Sequence, residues 1–404
     1  MLMGQRCTVA YPWREGNRLW VWHDGDTFYP RLLSLIETAQ NHIFVELYWF
    51  ASGRVGRQFM VALLAAVARG VQVYCLFDDV GSQALTWADR ACLQAGGVHV
   101  LFYNPLRARA VFANFRRNHR KLFIVDACAF LGGAGVADEF ARSFGEQRWR
   151  DVLFEIQGPL VNDCVDHFFD SWLSCSGVPI ELDQSETRQL ENARWVPDVG
   201  GHAERERNGD ARPIASVRAR LVVGRGARRQ PVARSCLTRI RKAKREIWLF
   251  TGYFYPNWKW RRALRQAVKR GVLVKLLLPG PYSDHPILAE AGRYYYRYLL
   301  HHGVEIHEYQ PRFQHMKLLL CDDWVSFGSS NQDRWSQRWN LEANVEAEGA
   351  ELAIRIKEEF TSDFGEAKRI TSAEWSQRKW WRRVWTYVLY RISLSFEAWL
   401  SRRK

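Results

Sequence analysis

The chain repeats itself, and that duplication limits its possible folds more than any other feature. Ala66-Val67-Ala68-Arg69-Gly70-Val71-Gln72-Val73 matches Ala267-Val268-Lys269-Arg270-Gly271-Val272-Leu273-Val274. GVHVLFYNP (97–105) matches GVEIHEYQP (303–311), and NHRKLFIVD (118–126) matches QHMKLLLCD (314–322). The starting positions 66 and 267, 97 and 303, and 118 and 314 differ by 201, 206 and 196. Three matches in one order at nearly one offset mark a repeated structural unit. In the first match a helical pattern ends at glycine, a favoured helix terminator, and a Val-rich strand follows.

Each half is expected to run strand–helix–strand–helix–strand–strand. Helices over Leu32–Gln40 and Leu237–Lys244 lead into the strands IFVELYWF and IWLFTGYF. The predicted fold class is α/β: two duplicated domains, each a mixed β-sheet flanked by helices, with one active site at their interface. The expected boundaries are 1–178 and 214–372 for the two domains, with a Gly-, Pro- and charge-rich linker or insertion at 179–213. A basic, Trp-rich segment at 373–404 belongs to neither repeat.

Each half carries H-x-K-x4-D: His119, Lys121 and Asp126, then His315, Lys317 and Asp322. The apolar runs LFIV and LLLC suit buried strands. In a strand, residues i and i+2 share a face, so each His–Lys pair is expected to line a pocket. Each Asp, seven residues after its His, falls on the opposite face of a regular strand and is expected to support the fold or buttress the site. A lone H-x-K-x4-D recurs by accident; two copies at the same place in a repeat do not.

The chemistry these residues suit is phosphodiester transfer. A neutral imidazole can attack phosphorus and hold a covalent phosphoryl group. A second imidazole can protonate the leaving alcohol and deprotonate the incoming one. Two ammonium groups stabilise the charge on the equatorial oxygens. This set needs no metal and no cofactor, and the duplication becomes one site made from two half-sites. After the second motif, Gly328-Ser329-Ser330-Asn331 offers donors to phosphate oxygens, and the acid in Asn340-Leu341-Glu342-Ala343-Asn344 can fix the tautomer of His315. The pair His301-His302 has no repeat counterpart and is assigned to a helix end.

Composition narrows the substrate. Lys and Arg total 58 against 43 Asp and Glu, a net charge of +15, so the partner is anionic: nucleic acid, an acidic membrane surface or a phosphorylated molecule. Several of the 19 Trp stand among basic residues, as in Trp258-Lys259-Trp260-Arg261-Arg262 and Trp380-Trp381-Arg382-Arg383. Such pairs suit the water–lipid boundary or stacking on single-stranded nucleic acid. Trp20, Trp22, Trp149 and Trp324 are expected as ordinary core or rim. The 8 Cys form no CxxC, as in a reduced cytoplasmic protein without zinc. The N-terminus lacks the apolar core of a signal peptide, and no apolar run approaches the ~20 residues of a spanning helix.

These motifs resemble the paired HKD motifs of the phospholipase D superfamily over nearly the whole chain. Within it, the sequence is most similar to bacterial cardiolipin synthases of the B type. That likeness is carried by Phe28-Tyr29-Pro30, AAVARGVQV, NHRKLFIVD with Gly132-Gly133, Trp149-Arg150-Asp151, HMKLLLCDD, GSSN and NLEANV. The resemblance implies that one His, usually the first, is the nucleophile and the other the acid/base. It implies that Ser329 and Asn331 contact phosphate, that Glu342 orients His315 and that Asp151 orients His119. It implies transfer of a phosphatidyl group, giving cardiolipin from phosphatidylglycerol plus a second phospholipid such as phosphatidylethanolamine, without a metal. The turn after each motif is one residue shorter than the usual superfamily spacing, and Gly135 stands where an Asn is expected. The expected setting is the cytoplasmic face of a bacterial inner membrane, with phospholipid rather than nucleic acid as partner. A phospholipase, a nuclease of the same superfamily and a non-catalytic lipid-binding protein are the rival readings.

The tail is expected to be an interfacial helix. Trp381, Trp385, Val388, Ile392, Phe396 and Trp399 follow helical spacing along one stripe, and residues 375–404 hold eight Lys or Arg against Glu397 alone. The competing expectation is a helix docked on the second domain.

Overall fold

In the computed structural model, residues 10–109, 112–180, 212–225 and 230–402 are described. Most of the expected linker at 179–213, and Cys7, lie outside them. Strands of the first half are β1 (Arg14–His23), β2 (His42–Leu47), β3 (Gln72–Asp78), β4 (His99–Tyr103), β5 (Lys121–Val125), β6 (Cys128–Gly132) and β7 (Val152–Gln157). Those of the second half are β8 (Ile214–Arg225), β9 (Glu246–Thr251), β10 (Phe254–Tyr255), β11 (Leu273–Pro279), β12 (Glu305–Tyr309), β13 (Lys317–Cys321), β14 (Trp324–Gly328), β15 (Gln332–Asp333), β16 (Leu341–Glu348) and β17 (Ala367–Ile370).

The expected mixed α/β architecture is present, in two copies. The first half orders its strands β1-β7-β6-β5-β2-β3-β4, and the second β8-β16-β14-β13-β9-β11-β12 with β17 at its edge. In each, three parallel strands (β2, β3, β4; β9, β11, β12) flank an antiparallel meander that holds the H-x-K run. β1 pairs antiparallel with β8, so the halves share a continuous sheet.

The equivalent helices Arg54–Ala68 and Trp258–Lys269 are amphipathic, and each is followed by a glycine with positive φ: Gly70 at 90° and Gly271 at 86°. That conformation is costly for other residues and releases the chain into β3 and β11. The first helix spans Asp24–Thr38 and so starts earlier than expected, with Pro30 inside it.

Three apolar cores result. One lies under the outer helices of each half, around Phe28, Phe59 and Phe123 in the first and Trp260, Leu264 and Leu276 in the second. The third joins the halves, and within it Phe154 and Phe327 stack with centroids 3.7 Å apart. A buried ion pair crosses the same interface, with Arg150 Nε donating to Asp363 at 2.9 Å, and Arg120 Nη2 donates to the Gly224 carbonyl at 3.2 Å. Removing one partner of such a pair leaves a buried charge, so these contacts fix the relative placement of the halves.

The C-terminal helix, Trp380–Arg402, is docked along one face, as the competing expectation for the tail had it, and exposed along the other. One face is docked: Thr386 and Leu389 are buried, and Tyr390 stacks on Tyr294 with centroids 3.9 Å apart. The other exposes Trp381, Trp385, Val388 and Ile392. The side chains of Phe396 and Trp399 lie outside the described residues. No described helix is long and apolar enough to cross a membrane. His301 closes the helix Tyr296–His301.

Candidate active site

The site forms where the two H-x-K runs meet across the halves. Each strand starts at its lysine, β5 at Lys121 and β13 at Lys317, and each His lies two residues upstream in extended chain. Two short bridges, Asn118 with Leu341 and Arg150 with Gln314, stitch each His segment to the opposite half. The His119 N–H donates to the Leu341 carbonyl at 3.0 Å, and the His315 N–H to the Arg150 carbonyl at 2.8 Å. The two arrangements are equivalent, as befits a duplication.

These bridges decide which carboxylate meets which imidazole. His119 Nδ1 lies 3.1 Å from both Glu342 oxygens, and His315 Nδ1 lies 2.7 Å from Asp151 Oδ2. This reverses the expected pairing of Glu342 with His315 and Asp151 with His119. The two acids hold equivalent places, two residues before Leu153 and Asn344, which pair with Gly132 and Gly328. Each reaches across to the other half.

Both histidines and both lysines are buried, and His119, Lys121 and His315 line one cavity of about 510 Å³ together with Tyr48, Trp49, Trp149, Tyr253, Asn331 and Trp335. The lysines are held in place by their own turns: Lys121 Nζ donates to the His119 carbonyl at 2.8 Å, and Lys317 Nζ donates to that of His315. Burial, reinforced by the Lys317 charge, pushes His315 down to about 4, and burial also lowers His119. Burial pulls Lys317 down to about 8 and, with Lys317 nearby, holds Lys121 well below the usual lysine range. Burial alone would raise Asp151, but the hydrogen bond from His315 and the nearby charge of Lys317 outweigh it and hold the acid below its ordinary value. At neutral pH His315 is therefore neutral beside an ionised Asp151. With Nδ1–H donating to the carboxylate, Nε2 of each imidazole keeps its lone pair.

The remaining expected residues fall into two groups. Asn331 lines the cavity, with its Oδ1 buried and unpartnered among the described residues. Ser329 does not line it: its hydroxyl donates to Glu342 and its Oγ accepts from the Ala343 N–H at 3.0 Å, so it braces the carboxylate instead of facing a phosphate. Asp126 and Asp322 are outside the cavity. Each sits in a turn at positive φ, 47° and 55°, and accepts three backbone N–H groups: those of Gln40, Asn41 and His42 for Asp126, and of Lys244, Arg245 and Glu246 for Asp322. They anchor the preceding helix ends to the strands, as their place on the opposite face implied.

Trp149, expected as ordinary core or rim, instead packs on His315 with ring centroids 5.1 Å apart; its position two residues before Asp151 was the available signal. Tyr48 packs on His119 at 4.9 Å. Tyr253 donates its hydroxyl to Asp284, and both line the cavity; no motif marked them. Gly135 cannot be replaced in kind by the expected Asn, because a Cβ there would lie 2.3 Å from the Trp49 carbonyl oxygen. Among the described residues, no group of three His, Cys, Asp or Glu side chains is disposed to hold a metal ion.

The chain is similar to known proteins over most of its length. A family model described as "Cardiolipin synthase, PLD-like domain" matches residues 32–172 and 236–364. Cardiolipin synthase B of Shigella flexneri is 31% identical over 391 residues, 96% of this chain and 90% of that one. Cardiolipin synthase A of Pseudomonas entomophila (strain L48) is 31% identical over 368 residues, 90% of this chain and 72% of that one. Among solved structures, phosphatidylserine synthase of Haemophilus influenzae Rd KW20 superposes with a TM-score of 0.70 at 13% identity, covering 94% of each chain.

Proposed function

Because the chain belongs to the family of cardiolipin synthases with paired PLD-like domains, we propose that it makes cardiolipin by moving a phosphatidyl group between lipids through a covalent phosphohistidine. The observation that carries this reading is the crossed pair of carboxylate-bound imidazoles in one cavity with Lys121, with Lys317 buried against the His315 carbonyl. The donor is phosphatidylglycerol, and the acceptor hydroxyl belongs to a second phospholipid.

His119 Nε2 attacks the phosphorus of the donor, forming a P–N bond while the P–O bond to the leaving glycerol breaks. His315 passes its proton to that alcohol. The entering phosphodiester brings a negative charge beside an imidazole otherwise held neutral by burial and Lys317, and so favours the protonated form of His315 when it is needed. The acceptor hydroxyl then gives its proton to His315 and attacks phosphorus, and the P–N bond breaks. Lys121 and Lys317 stabilise the equatorial oxygens throughout. Glu342 and Asp151 hold the tautomers, while Asn331 contacts the phosphate by its amide.

Tyr48, Trp49, Trp149, Tyr253 and Trp335 give the cavity an aromatic wall, which favours a lipid acceptor by limiting water at the phosphorus. The docked but Trp-bearing tail supports attachment at a membrane surface, and the face proposed for it is the cytoplasmic one. The test is incubation of the purified protein with phosphatidylglycerol, with and without phosphatidylethanolamine or glycerol, and identification of products by mass. Cardiolipin is expected; phosphatidic acid alone would make the protein a phospholipase.

A further inference from the structure

A second cavity, of about 990 Å³, lies in the second half and shares no residue with the active site. Its walls come from the helix Trp258–Lys269, the turn and helix at Tyr294–His301, and the C-terminal segment through Trp375 and Arg383. Five arginines line it, Arg261, Arg262, Arg265, Arg297 and Arg383, and no aspartate or glutamate does. The Arg261 guanidinium lies over the Tyr295 ring, 4.4 Å from its centroid, and Arg265 Nε is buried without a partner among the described residues. The neighbouring acid, Glu290, is already engaged by Arg293, Arg378 and Thr386 and does not neutralise the groove. So dense a cationic lining is unfavourable in an empty groove and favourable around an anion.

We propose that this groove is a non-catalytic binding site for the phosphodiester headgroup of an anionic phospholipid at a bilayer surface. Charge complementarity calls for a phosphate, and the surroundings select its source. Trp258 at the rim and Trp380, Trp381 and Trp385 on the adjoining helix are exposed indoles of the kind that settle at the headgroup level. The groove is also coupled to the catalytic cavity by one short element. His285 and Leu288, at one end of the helix Pro286–Arg293, line the active site, and Tyr294, just past its other end, lines the groove. Eight residues of helix span about 12 Å, so a headgroup held here keeps the catalytic cavity next to the lipid surface that supplies its substrates. The inference takes its lipid class from the preceding reading, and its test is a binding measurement that needs no turnover.

The full chain carrying His119→Ala, which removes turnover, is sedimented with vesicles of phosphatidylcholine with and without phosphatidylglycerol. Two double substitutions are added: Arg262→Gln with Arg297→Gln, both exposed, and Arg261→Gln with Arg265→Gln. Each arginine at an anionic surface contributes about five-fold, so each pair is expected to weaken binding to phosphatidylglycerol vesicles roughly twenty-five-fold. Melting temperature is expected to hold for the exposed pair, and in the otherwise native enzyme that pair is expected to leave turnover of a monomeric short-chain phosphatidylglycerol unchanged. Unaltered vesicle binding in both double variants overturns the proposal. So does equal binding to vesicles of phosphatidylcholine alone. Inorganic phosphate that stabilises the native groove but not the variants, with vesicle binding insensitive to both, assigns the site to a free anion instead. Loss of single-stranded DNA binding in the variants with vesicle binding intact assigns it to nucleic acid. Failure to form cardiolipin in the product assay with vesicle binding still arginine-dependent overturns the catalytic reading and leaves this one standing.

Discussion

His119 and Glu342 come from opposite halves of the duplication, yet Nδ1 of the one lies 3.1 Å from both carboxylate oxygens of the other. His315 and Asp151 repeat the relationship in the opposite sense at 2.7 Å. Neither half-site is complete alone. The exchange makes the interface between the halves part of the catalytic apparatus, which explains why buried ion pairs such as Arg150 with Asp363 secure it.

The crossed geometry predicts a specific pattern of mutant defects. Asp151→Asn is expected to impair the acid/base steps of His315, and Glu342→Gln the attack by His119, each by roughly 10²–10⁴ in kcat with the fold retained. Glu342→Gln is expected to abolish accumulation of the phosphoryl-enzyme. Asp151→Asn is expected to leave the slow formation of that species detectable in a labelled-lipid trap. The reverse pattern would mean that the attacking imidazole is His315.

His119→Ala and His315→Ala are each expected to remove nearly all transfer while circular dichroism and melting stay close to the parent. The acid-labile, alkali-stable label from radioactive phosphatidylglycerol should map to the peptide holding His119. Substantial activity in either variant contradicts a mechanism that uses both rings.

The buried charges set the pH range. The acid limb comes from protonating the attacking ring: burial lowers His119 below the usual imidazole range, so kcat/KM should hold below the pH at which an ordinary histidine protonates and fall only in more acid solution. The alkaline limb comes from Lys317, depressed to about 8, which loses its proton and its stabilising charge as pH rises through that value. Lys317→Arg, with a guanidinium that stays protonated, should remove the alkaline limb from whatever activity remains. A profile flat from pH 7 to 10 in the parent would contradict the role given to Lys317.

The same lysine is expected to cost stability. Its proton is held less tightly folded, at about 8, than unfolded, near 10.4, so below pH 8 the unfolded chain is favoured by up to about 3 kcal/mol through this group. The penalty fades as pH rises toward the unfolded value. Lys317→Met removes it and forfeits one hydrogen bond to the His315 carbonyl, worth about 1 kcal/mol, for a net gain of roughly 2 kcal/mol at pH 7. Denaturant unfolding should show a more stable, inactive protein; a destabilised one would mean that the ammonium is better satisfied than its burial implies.

Much of this was legible in the chain because it is local or periodic. The repeat announces two equivalent units, and the i, i+2 spacing of His119 and Lys121 and of His315 and Lys317 puts each pair on one face. Their strands were visible as apolar runs, and Asp126 and Asp322 could be sent to the other face by the same counting. The partner of each imidazole was not legible. It depends on the bridges of Asn118 with Leu341 and Arg150 with Gln314, a register between segments more than 160 residues apart that no periodicity records. Trp149 was misjudged for a related reason: in sequence it is one aromatic among many, and only the crossing of Asp151 into the other half-site carries it to His315. Tyr253 and Asp284 have no matching pair in the first half, so the repeat could not point to them.

The tail yields the last prediction, because its two faces separate two functions. Leu389 is buried and Tyr390 stacks on Tyr294, so Leu389→Asp places an unpaired charge in an apolar contact and should lower the melting temperature clearly. Trp381 and Trp385 are about half exposed, at 48% and 55%. Trp381→Ala with Trp385→Ala should therefore leave melting nearly unchanged and weaken vesicle binding by ten-fold or more, on the order of the 1.5–3 kcal/mol that a large buried apolar side chain contributes. The effect should persist at high salt, unlike that of the groove arginines, because apolar insertion is not screened. Removing everything after Thr371 combines both losses. Vesicle binding that survives the double Trp substitution, together with a truncated chain that still binds, would show that the lipid surface is met elsewhere and that the helix serves the second half alone.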